Sequence, residues 1–147
     1  MPARTFLAGW GDMDFNSHMR NTAYLDKSAD MRMLFFAEQG FSADTFAQRR
    51  FGPVVRKDEI DYYREFGLLE EVHADLSLAG LSEDGSRFRL RNEFHRADGQ
   101  LAARVTSLGG WLDLNQRKLI APPMELLAAM RTLPRTEDYQ DLPSSLK

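Results

Sequence analysis

Two hydrophobic rhythms divide the chain. From Glu71 to Leu81 polar and apolar residues alternate, with Val72, Ala74, Leu76 and Leu78 facing one way and Glu71, His73, Asp75 and Ser77 the other. Residues 87–96 do the same, Phe88, Leu90 and Phe94 opposing Arg87, Arg89, Arg91, Glu93 and His95. A period of two belongs to strands with one buried face. Ser82-Glu83-Asp84-Gly85-Ser86 separates these runs and Ala97-Asp98-Gly99-Gln100 follows them; Asp-Gly between alternating strands is a strong hairpin signal. Residues 71 to 113 therefore predict a three-stranded antiparallel meander. Its last strand, 101–113, carries Gly109-Gly110, which predicts a bulge or the close approach of another backbone or a ligand.

Upstream the rhythm changes. Residues 21–39 contain neither Pro nor Gly, with Asn21 or Thr22 as a candidate cap and Gly40 as a stop. Tyr24, Leu25, Ala29, Met31, Met33, Leu34, Phe35, Phe36 and Ala37 cover more than one face, which predicts a mostly buried helix. Residues 5–10 predict a first strand, 46–52 a loop, and 53–66 a further, less regular strand. Pro122-Pro123 opens a short helix through Met130, and a loosely attached polar tail follows Leu133. The order of strand, long helix and antiparallel sheet predicts one α+β domain over residues 1–133. In it, a sheet of about five strands wraps around a long central helix. Residues 134–147 form the tail.

Composition narrows the chemistry. With 19 basic and 22 acidic residues the net charge is −3, too balanced for a nucleic-acid binder that works through bulk charge. The absence of cysteine excludes disulfides, thiolate metal sites and cysteine nucleophiles. No apolar run approaches the ~18 residues of a membrane span. Asp12 and Asp14 interrupt any signal-peptide core, so a cytoplasmic location is expected.

The densest polar cluster is Asp12-Met13-Asp14-Phe15-Asn16-Ser17-His18, just ahead of the helix. Asp12, Asp14 and Asn16 match the start of a calcium loop, but Ser17 and Ala23 stand where that motif needs Gly and Glu. A transition-metal site from Asp12, Asp14 and His18 lacks a second nearby histidine, and no metal is assigned. Acid–base chemistry is the third reading: a carboxylate beside a helix N-terminus activates water while free amides hold an oxyanion. Asp14 or Asn16 as a simple turn former or N-cap is the fourth. The residue types alone leave the last two open.

The spacing is more specific. Asp14-Phe15-Asn16-Ser17-His18-Met19-Arg20-Asn21-Thr22-Ala23-Tyr24 resembles the signature of hot-dog-fold acyl-CoA thioesterases of the 4-hydroxybenzoyl-CoA thioesterase type. Pro53-Val54-Val55-Arg56 through Ile60-Asp61-Tyr62, then Phe66-Gly67-Leu68-Leu69-Glu70-Glu71-Val72, the meander and the Pro-opened helix follow in family order. The resemblance implies hydrolysis of an acyl-CoA, with Asp14 as base or nucleophile and the Asn21 backbone N–H as oxyanion donor. Asn16, His18 and Tyr24 are then expected to shape the loop and the thioester pocket. It further implies no cofactor beyond the coenzyme A of the substrate, and a homodimer or homotetramer. Arg20 departs from the family's usual asparagine pair, and Asp12, two residues before Asp14, is a second carboxylate that can share its role. The alternatives are a carrier-protein thioesterase or hydratase on the same fold, or a non-catalytic acyl-CoA-binding module.

Elsewhere, His73 and His95 read as surface residues. Arg87, Arg89 and Arg91 suit either the phosphates of coenzyme A or a solvated sheet face. Trp10, Trp111 and the phenylalanines read as core and interface. No Gly-x-Ser-x-Gly or glycine-rich phosphate loop occurs.

Overall fold

The computed structural model describes residues 3–146; Met1 and Pro2 of the expected domain and Lys147 of the expected tail lie outside it. The sheet is built on β5 (Arg87–His95), whose alternation is realised: Phe88, Leu90, Asn92 and Phe94 are fully buried. On one side β5 pairs antiparallel with β6 (Leu101–Asp113), and β6 with β2 (Phe51–Tyr62). On the other side lies the run expected as one strand, 71–81. It is broken into β3 (Glu71–Ala74) and β4 (Ser77–Ser82), because the Asp75 side chain enters the ladder and accepts the Glu93 N–H at 3.1 Å. Burial pushes the Asp75 carboxyl above its ordinary value. β1 (Arg4–Leu7) pairs with β3, and β7 (Lys118–Ile120) with the end of β6.

The inner face of this sheet packs against α1, Asn21–Glu38. Ala23, Tyr24, Ser28, Met31, Phe35 and Phe36 form its buried side. The helix is not buried around its circumference as its apolar residues suggested: Met33 is 36% exposed and Leu34 46%. The sheet covers one face only. At the far end of the helix Phe36, Phe46, Phe51 and Phe88 surround Trp111, with ring centroids 5.3–6.1 Å from it.

Two differences from the sequence expectation concern short elements. The expected loop at 46–52 begins as α2, Ala43–Arg49, capped by the Ser42 hydroxyl, which accepts the Thr45 N–H at 3.2 Å, and closed by Arg50 in the left-handed region. The residues after Leu133 are not a loose tail. After α3 (Met124–Met130) they form β8, Arg135–Leu142, parallel to β4. The eight strands among the described residues exceed the expected five chiefly through β7, β8 and the break at Asp75.

Gly109 shows why its position carries no side chain. A Cβ there would lie 2.2 Å from the Val54 carbonyl oxygen. Close backbone approach is thus the realised alternative, and the bulge sits across the pair, at Arg56 of β2.

The C-terminal strand is fixed by charge. Arg91, expected to face solvent or a phosphate, is 9% exposed and donates two bonds to Asp138, at 2.8 and 3.1 Å. These bonds, with one from Thr136, hold the Asp138 carboxyl well below the usual range. At Asp84 desolvation raises the value, but hydrogen bonds from Ser144, Ser86 and Ser82 outweigh it and hold this carboxyl low as well. A depressed folded-state value adds stability that is complete above the unfolded value of 3.8 and is lost as pH falls through the folded one. Asp138→Asn should therefore lower Tm at neutral pH. In thermal unfolding the gap from wild type should start to narrow as pH falls below about 4 and keep narrowing as pH is lowered further; a gap that stays constant with pH contradicts this anchoring.

Candidate active site

The polar loop is a closed turn built around one carboxylate. Asp14 Oδ1 accepts the backbone N–H of Asn16 at 2.9 Å and of His18 at 3.1 Å. The main chain closes the same turn: Asp14 N–H donates to His18 O at 2.8 Å, and Ser17 N–H to Asp14 O at 3.1 Å. Ser17, at φ 61°, absorbs the reversal. One Asp14 oxygen is thereby fixed by two amides, and no bond to Oδ2 occurs among the described residues. The side chain lies exposed beside a recess of about 380 Å³ lined by Trp10, Met13, Asp14, Phe15 and Ser17.

The turn is fastened to the sheet end. His18 and Met19 pair with the segment after β2, the Met19 N–H donating to Phe66 O at 2.8 Å and His18 bridging Gly67. His18 Nε2 lies 3.3 Å from Glu65 Oε2. Glu65 carried no sequence signal, because it sits in a loop outside both hydrophobic rhythms.

Immediately after this turn α1 begins. Its N-cap is Arg20, neither Asn21 nor Thr22, and among the described residues no side chain caps its amides. The first N–H groups of a helix have no intrahelical acceptor. They carry the positive end of the helix dipole. Asn21, at the first helical position and exposed, thus offers an amide within seven residues of Asp14. Arg20 shapes the approach: its N–H donates to Asp12 O at 2.8 Å, its guanidinium reaches Gly11 O, and Nε donates to Thr22 Oγ1 at 2.9 Å.

Tyr24, one turn in, is 2% exposed. It stands edge-on to Tyr62 and to Phe94, both at 5.5 Å. Burial is the main cause that pushes its phenol up to about 12, so it remains a neutral wall. The structure thus brings Asp14, Asn16 and His18 into one turn, with Asn21 and Tyr24 opening the adjoining helix.

Asp12 is engaged elsewhere. Its Oδ2 accepts the Gly9 N–H at 3.0 Å and its Oδ1 lies 3.8 Å from Lys27 Nζ. Its carboxylate braces the turn at Trp10–Asp12, where a strand was expected to end. Trp10 is 82% exposed and Phe15 97%, so neither joins the core. His73 is a surface residue, 2.7 Å from Glu71 Oε1. Among the described residues no three His, Asp or Glu side chains are grouped to hold a metal ion.

Comparisons with known proteins extend this picture. The sequence profile of the thioesterase-like superfamily matches residues 8–130. A search of the curated proteins finds no significant match. Among solved structures, a Staphylococcus aureus protein in complex with CoA superposes with a TM-score of 0.82 at 18% identity, covering 99% of this chain and 87% of that one. A 1,4-dihydroxy-2-naphthoyl-CoA thioesterase from Synechocystis gives 0.78 at 16% identity, covering 88% and 94%. An Escherichia coli protein described as a probable thioesterase gives 0.71 at 19%, covering 89% and 97%. At such identities the likeness establishes the fold, an α+β hot-dog.

Proposed function

The chain belongs to the thioesterase-like superfamily, and from that premise we propose that it hydrolyses an acyl-CoA thioester at the turn that holds Asp14. Asp14 Oδ2 takes a proton from water, or attacks the carbonyl itself, while the N–H of Asn21 receives the oxygen that becomes negative. Addition gives a tetrahedral oxyanion, and its collapse breaks the C–S bond. With water as the nucleophile this releases the free acid, and the thiolate takes up the proton that Asp14 removed; with Asp14 as the nucleophile it leaves an acyl-Asp14 anhydride, which water then hydrolyses to the free acid, supplying the proton for the thiolate. Preorganised amides act strongly here because they need no reorientation as the charge develops. The observation that carries this reading is the fixing of one Asp14 oxygen by two amides, in a turn that runs directly into a helix N-terminus with no side-chain cap among the described residues. His18 and Asn16 hold the turn, and Tyr24 walls the pocket. No metal and no cofactor beyond the substrate's own coenzyme A has a role in the scheme.

The CoA-bound Staphylococcus aureus protein and the naphthoyl-CoA thioesterase support the carrier assigned here. The proposal includes a homo-oligomer joined through β2, which has β6 on one side and no strand on the other among the described residues. Val55, Tyr62 and Tyr63 along or just beyond that strand are 38%, 47% and 52% exposed. No described helix is long and apolar enough to cross a membrane, and a cytoplasmic location is part of the same proposal.

Asn21→Pro tests the oxyanion role directly. Proline is well tolerated at a first helical position and removes the N–H along with an exposed carboxamide, which Asn21→Ala removes alone as the control. Arg20, at φ −72° and ψ 157°, already has the extended backbone that must precede it. The expected result is a loss of about 10²–10³ in kcat, the size of one deleted oxyanion donor, with Tm nearly unchanged. Retained kcat in a folded variant would contradict the assignment.

A further inference from the structure

Between α1 and the inner sheet face runs a polar seam in an otherwise apolar layer. Ser28 and Arg32 lie one turn apart on the same side of the helix. Beneath them are two adjacent rows of the sheet, Ile60–Val105–Asn92 and Asp58–Ser107–Leu90. Ser28 and Asn92 are both fully buried, yet among the described residues the Ser28 hydroxyl and the Asn92 side-chain carbonyl oxygen have no hydrogen-bond partner. Asn92 is tied down only through its amide nitrogen, to Asp75 O at 3.0 Å and towards Met31 Sδ at 3.8 Å.

Arg32 ends the seam. Its guanidinium has five donors, and the bond it makes is to the neutral Ser107 hydroxyl, at 3.1 Å. Ser107 in turn donates to Asp58 at the sheet edge. No carboxylate oxygen lies within 4 Å of Arg32 among the described residues. Burial lowers the proton affinity of this side chain, and Asp58 offsets the effect only in part.

A half-buried cation that reaches its nearest carboxylate, Asp58, only through Ser107, and buried oxygens without partners, are each costly. An alkyl tail laid along this seam would leave all of them unmet. Along the helix axis Ser28 lies about 10 Å from Asn21 and Arg32 about 16 Å, which is the reach of a medium-length acyl chain.

We propose that the seam binds the far end of the acyl group and selects one that ends in a carboxylate, paired by Arg32 with Ser28 as a second donor. The substrate class is then the coenzyme A thioester of a medium-chain dicarboxylic acid. This rests on Asp14 and Asn21 being the thioester site.

The test uses non-hydrolysable thioethers, so that binding is read without turnover. Calorimetric titration of the full chain would compare the S-decyl thioether of coenzyme A with matched thioethers ending in a carboxylate or a hydroxyl. The wild type should bind the carboxylate form at least about tenfold more tightly than the alkyl form, the gain expected of a charged hydrogen bond. In Arg32→Gln that ratio should fall towards one, and Ser28→Ala should reduce it by a smaller factor. Equal binding of alkyl and carboxylate forms, a hydroxyl form as tight as the carboxylate, or a preference that survives in Arg32→Gln would overturn the inference. Should Arg32→Gln fail to fold, the wild-type ratios and Ser28→Ala decide. Binding of none of the three thioethers would count against the thioester site itself, whereas alkyl binding without a carboxylate preference counts against the seam alone.

Discussion

Asp14→Asn should lose about 10²–10⁴ in kcat for acyl-CoA hydrolysis while keeping the fold, the range expected when a positioned proton acceptor is removed. The carboxamide retains an oxygen at Oδ1, so the amides of Asn16 and His18 keep their acceptor and the turn is preserved. The basic second oxygen is what disappears. Unchanged circular dichroism and Tm with collapsed turnover would separate chemistry from folding. Near-normal activity would move the base to another group. Asp12 is the nearest candidate in sequence, but its oxygens already serve Gly9 and Lys27. Asp12→Asn should consequently act through the shape of the turn rather than as the loss of a proton acceptor.

The largest effect on stability is expected at Trp111. It is fully buried against Phe36, Phe46, Phe51 and Phe88, and its indole N–H donates to Gly85 O at 3.1 Å. Trp111→Ala removes the common neighbour of four rings from α1, α2, β2 and β5, and it leaves the Gly85 carbonyl without its donor. Emptying such a site costs about 3–5 kcal/mol, because the surrounding rings relax only partly. That is a large share of the total stability of about 5–15 kcal/mol usual for a domain. Denaturant unfolding followed by far-ultraviolet circular dichroism should show the midpoint fall with little change in slope. A loss below about 1 kcal/mol would mean that the cluster repacks freely. The Asp14 turn lies at the opposite end of α1, so any residual activity of this variant should track its folded fraction.

Where one physical rule dominated, the sequence was legible. Period-two alternation located β5 almost to the residue, because one of its faces is wholly buried and the other is not. The break between Pro- and Gly-free residues and Gly40 located α1. The Asp14-to-Tyr24 spacing marked a turn that closes on the Asp14 carboxylate and leads into α1.

What escaped depended on contacts distant in sequence. β8 is a polar edge strand whose half-buried positions recur every third residue, without a period of two. Its place is set by the Arg91–Asp138 pair and by Gly80, where a Cβ would lie 2.9 Å from Gln140 O. Asp75 looked like one more outward residue, yet its carboxylate replaces a ladder bond and divides the strand. The apolar residues of α1 overstated its burial, since hydropathy does not reveal that the sheet covers only one side. Trp10 and Phe15 were read as core because aromatic residues usually are, and here they flank the carboxylate in the open. Arg32 drew no attention in a helix with several charges; only its half-buried position, donating to Ser107, distinguishes it.

The central claim is that Asp14 and the start of α1 hydrolyse an acyl-CoA thioester. Its most direct test is thiol release from a panel of short, medium, long and aromatic acyl-CoAs, read with a thiol-reactive dye. The chain has no cysteine, so every thiol detected comes from the substrate. Turnover of at least one acyl-CoA by the wild type, abolished in Asp14→Asn, is the predicted result. A folded wild type that releases no thiol from any member of the panel, or equal release by wild type and Asp14→Asn, would contradict it.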